Sequence, residues 1–150
     1  MNQEKIMKAR MWTAIFIALA ALVAAFVFAG LYSDEKTKTR QSYIDQYEYN
    51  ITQAADEIDK YLEKQTDYDL HYNMVLSDMG AARSFIFLVD DYAEHQKTIN
   101  ELHYCFVKYP VQMKDKLEEV STALRHITEH LDKGYDEAQA IVDSIDKMGT

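Results

Sequence analysis

The residues best suited to chemistry lie in Arg125–His130, RHITEH, whose H-x-x-E-H form sets His126 and His130 four positions apart around Glu129. On a helix four positions are close to one turn. Two imidazoles would then face the same way, as zinc ligands must, with a carboxylate beside them suited to general-base work.

The pattern resembles the signature of inverted zinc peptidases, but those enzymes take a further carboxylate ligand from a distant downstream helix. Only 20 residues follow His130, and Glu137 reads as part of the same helical run. An inward seam through Leu124, Ile127 and Leu131 would also turn both histidines to the flank. His126 and His130 are therefore expected on a solvated helix flank, at most as a modest surface metal pair. The sequence contains no nucleophile elbow, phosphate-binding loop, Cys-x-x-Cys pair or paired catalytic carboxylates. No catalytic residue and no cofactor is expected, and a metal-dependent hydrolase is the remotest reading.

Three polar residues sit where a helix seam should be apolar. His71, Asp78 and His95 occupy or adjoin inward positions and form a candidate sensing or register layer: histidine titrates near neutral pH, and a single polar core residue can fix helix register. Tyrosine is the other conspicuous type, with 11 copies. Tyr47, Tyr61 and Tyr92 fall on core positions. Tyr43, Tyr49, Tyr68, Tyr72 and Tyr104 do not, and make a candidate partner face, since aromatic side chains carry much of the energy of protein interfaces. Cys105 is the single cysteine and reads as a small apolar core residue.

These residues need helices to position them. One Pro and four Gly in 150 residues leave few turn signals, so the chain is expected to be all-α. Met11–Tyr32 is 22 residues without a charge, which at about 1.5 Å per residue covers a hydrocarbon core of about 30 Å. It reads as a transmembrane anchor, with Trp12, Phe16, Leu22, Phe26 and Tyr32 facing lipid or its borders, and is longer than the apolar run of a cleaved signal peptide. Residues 1–10 would form a short cytoplasmic tail. Lys5, Lys8 and Arg10 abut the membrane, whereas Lys36, Lys38 and Arg40 lie behind Asp34 and Glu35, so the following domain is placed outside.

Residues 33–150 are organised by heptads. The first seam is Ile44, Tyr47, Ile51, Ala54, Ile58, Tyr61; the second is Ala81, Phe85, Leu88, Tyr92, His95, Ile99, Leu102, Phe106. The third is Met113, Leu117, Val120, Leu124, Ile127, Leu131, Gly134, Ala138, Ile141, Ile145, Met148. Thr66 is placed to cap the second helix with Asp69 reaching back. Gly134 falls inside one long helix or marks a break between two collinear ones. The expected architecture is an elongated antiparallel three-helix, coiled-coil-like bundle, or a four-helix bundle if the middle helix breaks at Gly80.

Residues 33–150 carry 13 basic and 24 acidic side chains, a formal charge of −11, which repels nucleic acid. The expected partners are the lipid bilayer, another membrane or membrane-proximal protein, and a further copy of the chain. The leading expectation is an accessory or scaffolding subunit at the membrane. The alternative is an extracytoplasmic ligand- or pH-sensing domain: the layout resembles the tethered helical sensory domains of bacterial chemoreceptors, although a second membrane span is missing from this sequence.

Overall fold

The computed structural model describes residues 2–89, 93–130 and 133–147, and among them there is no strand. Six helices follow in order: α1 (Asn2–Lys64), α2 (Tyr68–Val89), α3 (Ala93–Lys108), α4 (Pro110–Lys114), α5 (Leu117–Thr128) and α6 (Lys133–Ser144). The chain divides into two compact units, residues 1–39 and 40–150.

The first unit carries the apolar run. No side chain described in it is buried, and Trp12, Phe16, Leu22, Phe26 and Tyr32 are all more than half exposed. The N-terminal part of α1 is the one stretch among the described residues that is long and apolar enough to cross a membrane.

In the second unit the remainder of α1 runs antiparallel to α2: Glu57 meets His71, Tyr43 lies on Phe85, and Arg40 bonds Val89. It also runs antiparallel to α5, where Asp59 meets Ser121 and Asp56 meets Arg125. α2 and α3 form an antiparallel pair, with the Tyr72 hydroxyl donating to the Phe106 carbonyl at 2.7 Å. α3 lies parallel to α6, since His95 stacks on Tyr135 and Thr98 bonds Gln139. α6 returns antiparallel along α5 and closes the ring. The core inside it includes Ile51, Ile58, Met79, Ile86, Ile99, Leu102, Phe106, Met113, Leu124 and Val142, all fully buried.

The expected all-α bundle is present, but its helices are shorter and more numerous than three or four. The middle element does not break at Gly80, which lies within α2. It is divided into α2, which ends at Val89, and α3, which begins at Ala93. The two pieces have different phases. α3 buries Ile99, Leu102 and Phe106 as expected, whereas α2 buries Tyr72, Val75, Met79, Ala82 and Ile86, one position away from the expected Ala81, Phe85 and Leu88. The run SFIFLV is apolar on nearly every side and accommodates either phase, so the α3 seam does not continue into α2. Tyr92, Leu131 and Met148 lie outside the described residues. The Thr66 cap is also absent: Gln65 and Asp67 take positive φ, and the Asp67 carbonyl accepts the His71 N–H at the start of α2.

The third seam stays apolar throughout, but as an antiparallel hairpin, not collinear helices. α5 ends at Thr128, His130 turns with φ 58°, and α6 comes back. Gly134 permits this return. A Cβ there would stand 2.6 Å from the Ile127 backbone nitrogen and 2.9 Å from the Ala123 carbonyl oxygen, so only hydrogen leaves room. At Gly80 a Cβ would meet nothing closer than His103 Nε2 at 3.4 Å.

The two glycines should therefore answer oppositely to alanine. Gly134→Ala is expected to destabilise the bundle by roughly 1–3 kcal/mol through overpacking against backbone. Gly80→Ala should be neutral or stabilise by up to about 1 kcal/mol through helix propensity. Urea unfolding of the detergent-solubilised chain, followed by the near-ultraviolet tyrosine signal, measures both; equal effects would contradict the close approach of α6 to α5.

Candidate functional site

The polar layer between α1 and α2 is built around Glu57. It falls between Ala54 and Tyr61 on the inward side of α1, so the side chain is only 3% exposed. A buried carboxylate must be compensated. Lys60, one turn on, donates to Oε1 at 2.6 Å, and Nδ1 of His71 meets Oε2 at 2.8 Å. Burial alone would raise the Glu57 carboxyl, but the hydrogen bonds from Lys60 and His71 outweigh it and hold the group below its ordinary value. Asp78 lies two turns along α2 and senses the same pair. Its carboxyl is pushed up by burial and then by the Glu57 charge, with Lys60 opposing. His71 thus meets Glu57 directly, while Asp78, two turns further along α2, feels the same carboxylate as a like charge.

His95 does not join them. It sits towards the other end of the bundle on α3, its ring stacked on Tyr135 at 3.7 Å between centroids and 4° between planes. The Tyr135 hydroxyl lies 3.0 Å from that of Tyr47. The expected triad is therefore two separate sites. A further histidine, His103, faces α2 between them, and burial and then the Arg83 charge lower its pKa against a backbone bond at Leu76.

The zinc-like spacing is not realised as one helix turn. His126 is the last histidine within α5, 21% exposed at its side chain, while His130 lies beyond the helix end and is 76% exposed. Nδ1 of His126 is 2.5 Å from Glu137 Oε2, and His130 lies 3.7 Å from Glu48. Glu137 belongs to α6 and not to the helix of His126; the hairpin brings the two together. Among the described residues no group of three or more His, Cys, Asp or Glu converges as metal ligands do.

The five tyrosines scatter. Tyr72 is buried with its hydroxyl on Phe106, and Tyr68 packs between Tyr61 and Tyr72 under the Lys114 ammonium, its phenol pushed up to about 12 chiefly by burial. Tyr43 rests on Phe85. Only Tyr49 and Tyr104 are more than half exposed. Tyr72 is thus core, and no single face unites the set. Cys105 is fully buried, and burial is the main cause that raises its thiol pKa, which suits an inert apolar residue.

Sequence reading also missed a clasp between α1 and α5. One terminal nitrogen of Arg125 donates to Asp56 and to Asp59, each at 2.6 Å, and Ser121 donates to the other oxygen of Asp59. The signal was present in the i, i+3 spacing of Asp56 and Asp59 and the i, i+4 spacing of Ser121 and Arg125, which places each pair on one face.

The opposite shifts at Glu57 and Asp78 separate in a pH series. Glu57, held low when folded, supplies stability above the unfolded carboxylate value of about 4.3, and this is lost as pH falls through its lower folded value. Asp78, held high, supplies stability below about 3.9 that is lost as pH rises through its folded value. Glu57→Gln is expected to cost roughly 3 kcal/mol at pH 7 and clearly less at pH 3. Asp78→Asn should gain up to about 1 kcal/mol at pH 7 and nothing at pH 3. Urea midpoints at the two pH values test this, and pH-independent effects would contradict it. Comparison of the chain with protein-family models, curated proteins and solved structures finds no match.

Proposed function

We propose that this chain is a single-pass membrane protein, with its N-terminus in the cytoplasm and its bundle outside, that serves as an accessory or scaffolding subunit of a membrane assembly. The observation that carries the reading is the pairing of an apolar segment, Met11–Tyr32, left wholly uncovered, with a second unit that has a closed core. Twenty-two uncharged residues with Trp12 and Tyr32 at their ends suit a bilayer as solvent. The basic residues Lys5, Lys8 and Arg10 set the orientation.

Among the described residues the buried polar groups are engaged in pairs between or along helices, which supports a structural role for them. Among the described residues no buried side-chain nitrogen or oxygen lacks a partner. The void beside Glu57, His71, Tyr61, Tyr68 and Tyr72 measures about 10 Å³, room for one water at most, which speaks against a small-molecule sensor at that layer. The mechanism proposed is geometric. A tether to the bilayer raises the local concentration of the bundle near membrane partners, so modest contacts through exposed residues such as Tyr49 and Tyr104 suffice.

Two measurements on native membranes test the proposal in sequence. The chain should remain in the pellet through alkaline carbonate extraction, and release into the supernatant would overturn the anchor. Affinity capture of the detergent-solubilised chain should then recover one stoichiometric partner that an unrelated single-span protein does not; recovery of the chain alone would overturn the accessory role.

A further inference from the structure

We infer that the C-terminal end of α2 is a second, peripheral lipid contact, in which Phe87 and Leu88 dip into the bilayer interface. The inference rests on the membrane-anchor reading above and adds a surface of the bundle itself. The stretch Ser84–Val89, SFIFLV, is apolar on nearly every side, more than one core face can use. Ile86 takes the core position and Phe85 packs on Tyr43. Phe87 and Leu88 are left 55% and 53% exposed.

The chain's own connectivity says what is near them. Arg40 is the first residue of the bundle unit, and its guanidinium donates to the Val89 carbonyl at 3.2 Å, the last residue of α2. Arg40 follows Tyr32 by eight residues, so even a fully extended link keeps this end of α2 within about 28 Å of the end of the apolar run. The patch is too small for a protein interface. Two half-exposed side chains offer on the order of 200 Å², against about 800 Å² per partner in a stable complex. For a surface already held at the membrane, a small apolar contact is enough.

An aromatic and an aliphatic side chain, with Arg83 one turn before Phe87 and Arg40 beside Val89, is also the residue mixture of interfacial anchors. Asp90 and Asp91 follow directly in the chain and disfavour anionic headgroups, so the contact is apolar and suits zwitterionic lipid.

The chain has one tryptophan, Trp12, which makes a fluorescence test self-controlled. The full-length protein is reconstituted in phosphatidylcholine vesicles with acyl chains brominated at positions 6 and 7, and emission is compared with unbrominated vesicles. Wild-type Trp12 reports the anchor, the double variant W12F/F87W reports the patch, and W12F/V107W is the comparison. Val107 is 58% exposed and follows Phe106, which bonds Tyr72 near the other end of α2. Emission from W12F/F87W should be quenched at least twofold more than emission from W12F/V107W, and W12F/L88W should repeat the result should the first variant prove unfolded by circular dichroism. Quenching of Trp12 in the wild type, with neither F87W nor L88W quenched above the level of V107W, overturns the inference and leaves the anchor standing. Blue-shifted but unquenched emission from W12F/F87W overturns it in favour of a second copy of the chain. An unquenched Trp12 overturns the anchor reading and this inference with it.

Discussion

The backbone contact of α6 with α5 at Gly134 is the constraint from which the bundle's polar arrangement follows. Where a side chain as small as a methyl group would meet the Ile127 nitrogen, the Ile127 Cγ1 and the Ala123 oxygen, the two helices come together with only hydrogen on the α6 side. That closeness returns α6 along α5 and seats it against α3. It also brings Glu137 to His126 and Tyr135 to Tyr47 and His95. A collinear α5 and α6 would leave each of these groups facing solvent. The hairpin converts a chain of charged helix flanks into cross-links between elements distant in sequence.

The same geometry explains which parts of the fold were legible in the sequence. The third seam kept its register across the hairpin, because Gly134, Ala138 and Ile141 are buried on a returning helix as they would be on a continuing one, and Ile145 is buried just past its end. Heptad phase reports which face is inward and carries no information on direction, so core residues were readable where topology was not. α2 shows the opposite failure. Its true stripe of Tyr72, Val75, Met79, Ala82 and Ile86 alternates spacings of three and four, but SFIFLV supports more than one stripe, and the seam borrowed from α3 selected the wrong one. The missed break, between Val89 and Ala93, lacks glycine and proline.

Candidate polar residues were legible as residues and not as groups. His71 and Asp78 were identifiable because a polar residue on an inward stripe must have a partner. Glu57, which pairs with His71 and opposes the charge of Asp78, looked like one more carboxylate in an acidic helix. Its inward position is visible only once α1 and α2 are paired. His95 shared the same sequence pattern as His71 and ended in a different layer, since the break in the middle helix reversed the chain between them. His126 and His130 show the limit most plainly. Their spacing implies one face only while the helix lasts, and α5 ends at Thr128.

The charge distribution links this architecture to the proposed location. An acidic excess of 11 over residues 33–150 would strain a closed bundle if it were spread evenly through the interior. Instead four of the interior or half-buried carboxylates are met by a donor: Glu57 by Lys60 and His71, Asp56 and Asp59 by Arg125, Glu137 by His126. What remains is an acidic exterior, and at the proposed location its charge would be repelled by anionic headgroups. The exposed end of α2, with Phe87 and Leu88 uncharged and Arg40 within hydrogen-bonding distance of Val89, instead offers an apolar contact suited to zwitterionic lipid. It is also the end at which the chain enters the bundle from the apolar run, so at the proposed location the covalent link keeps lipid within reach of these two side chains.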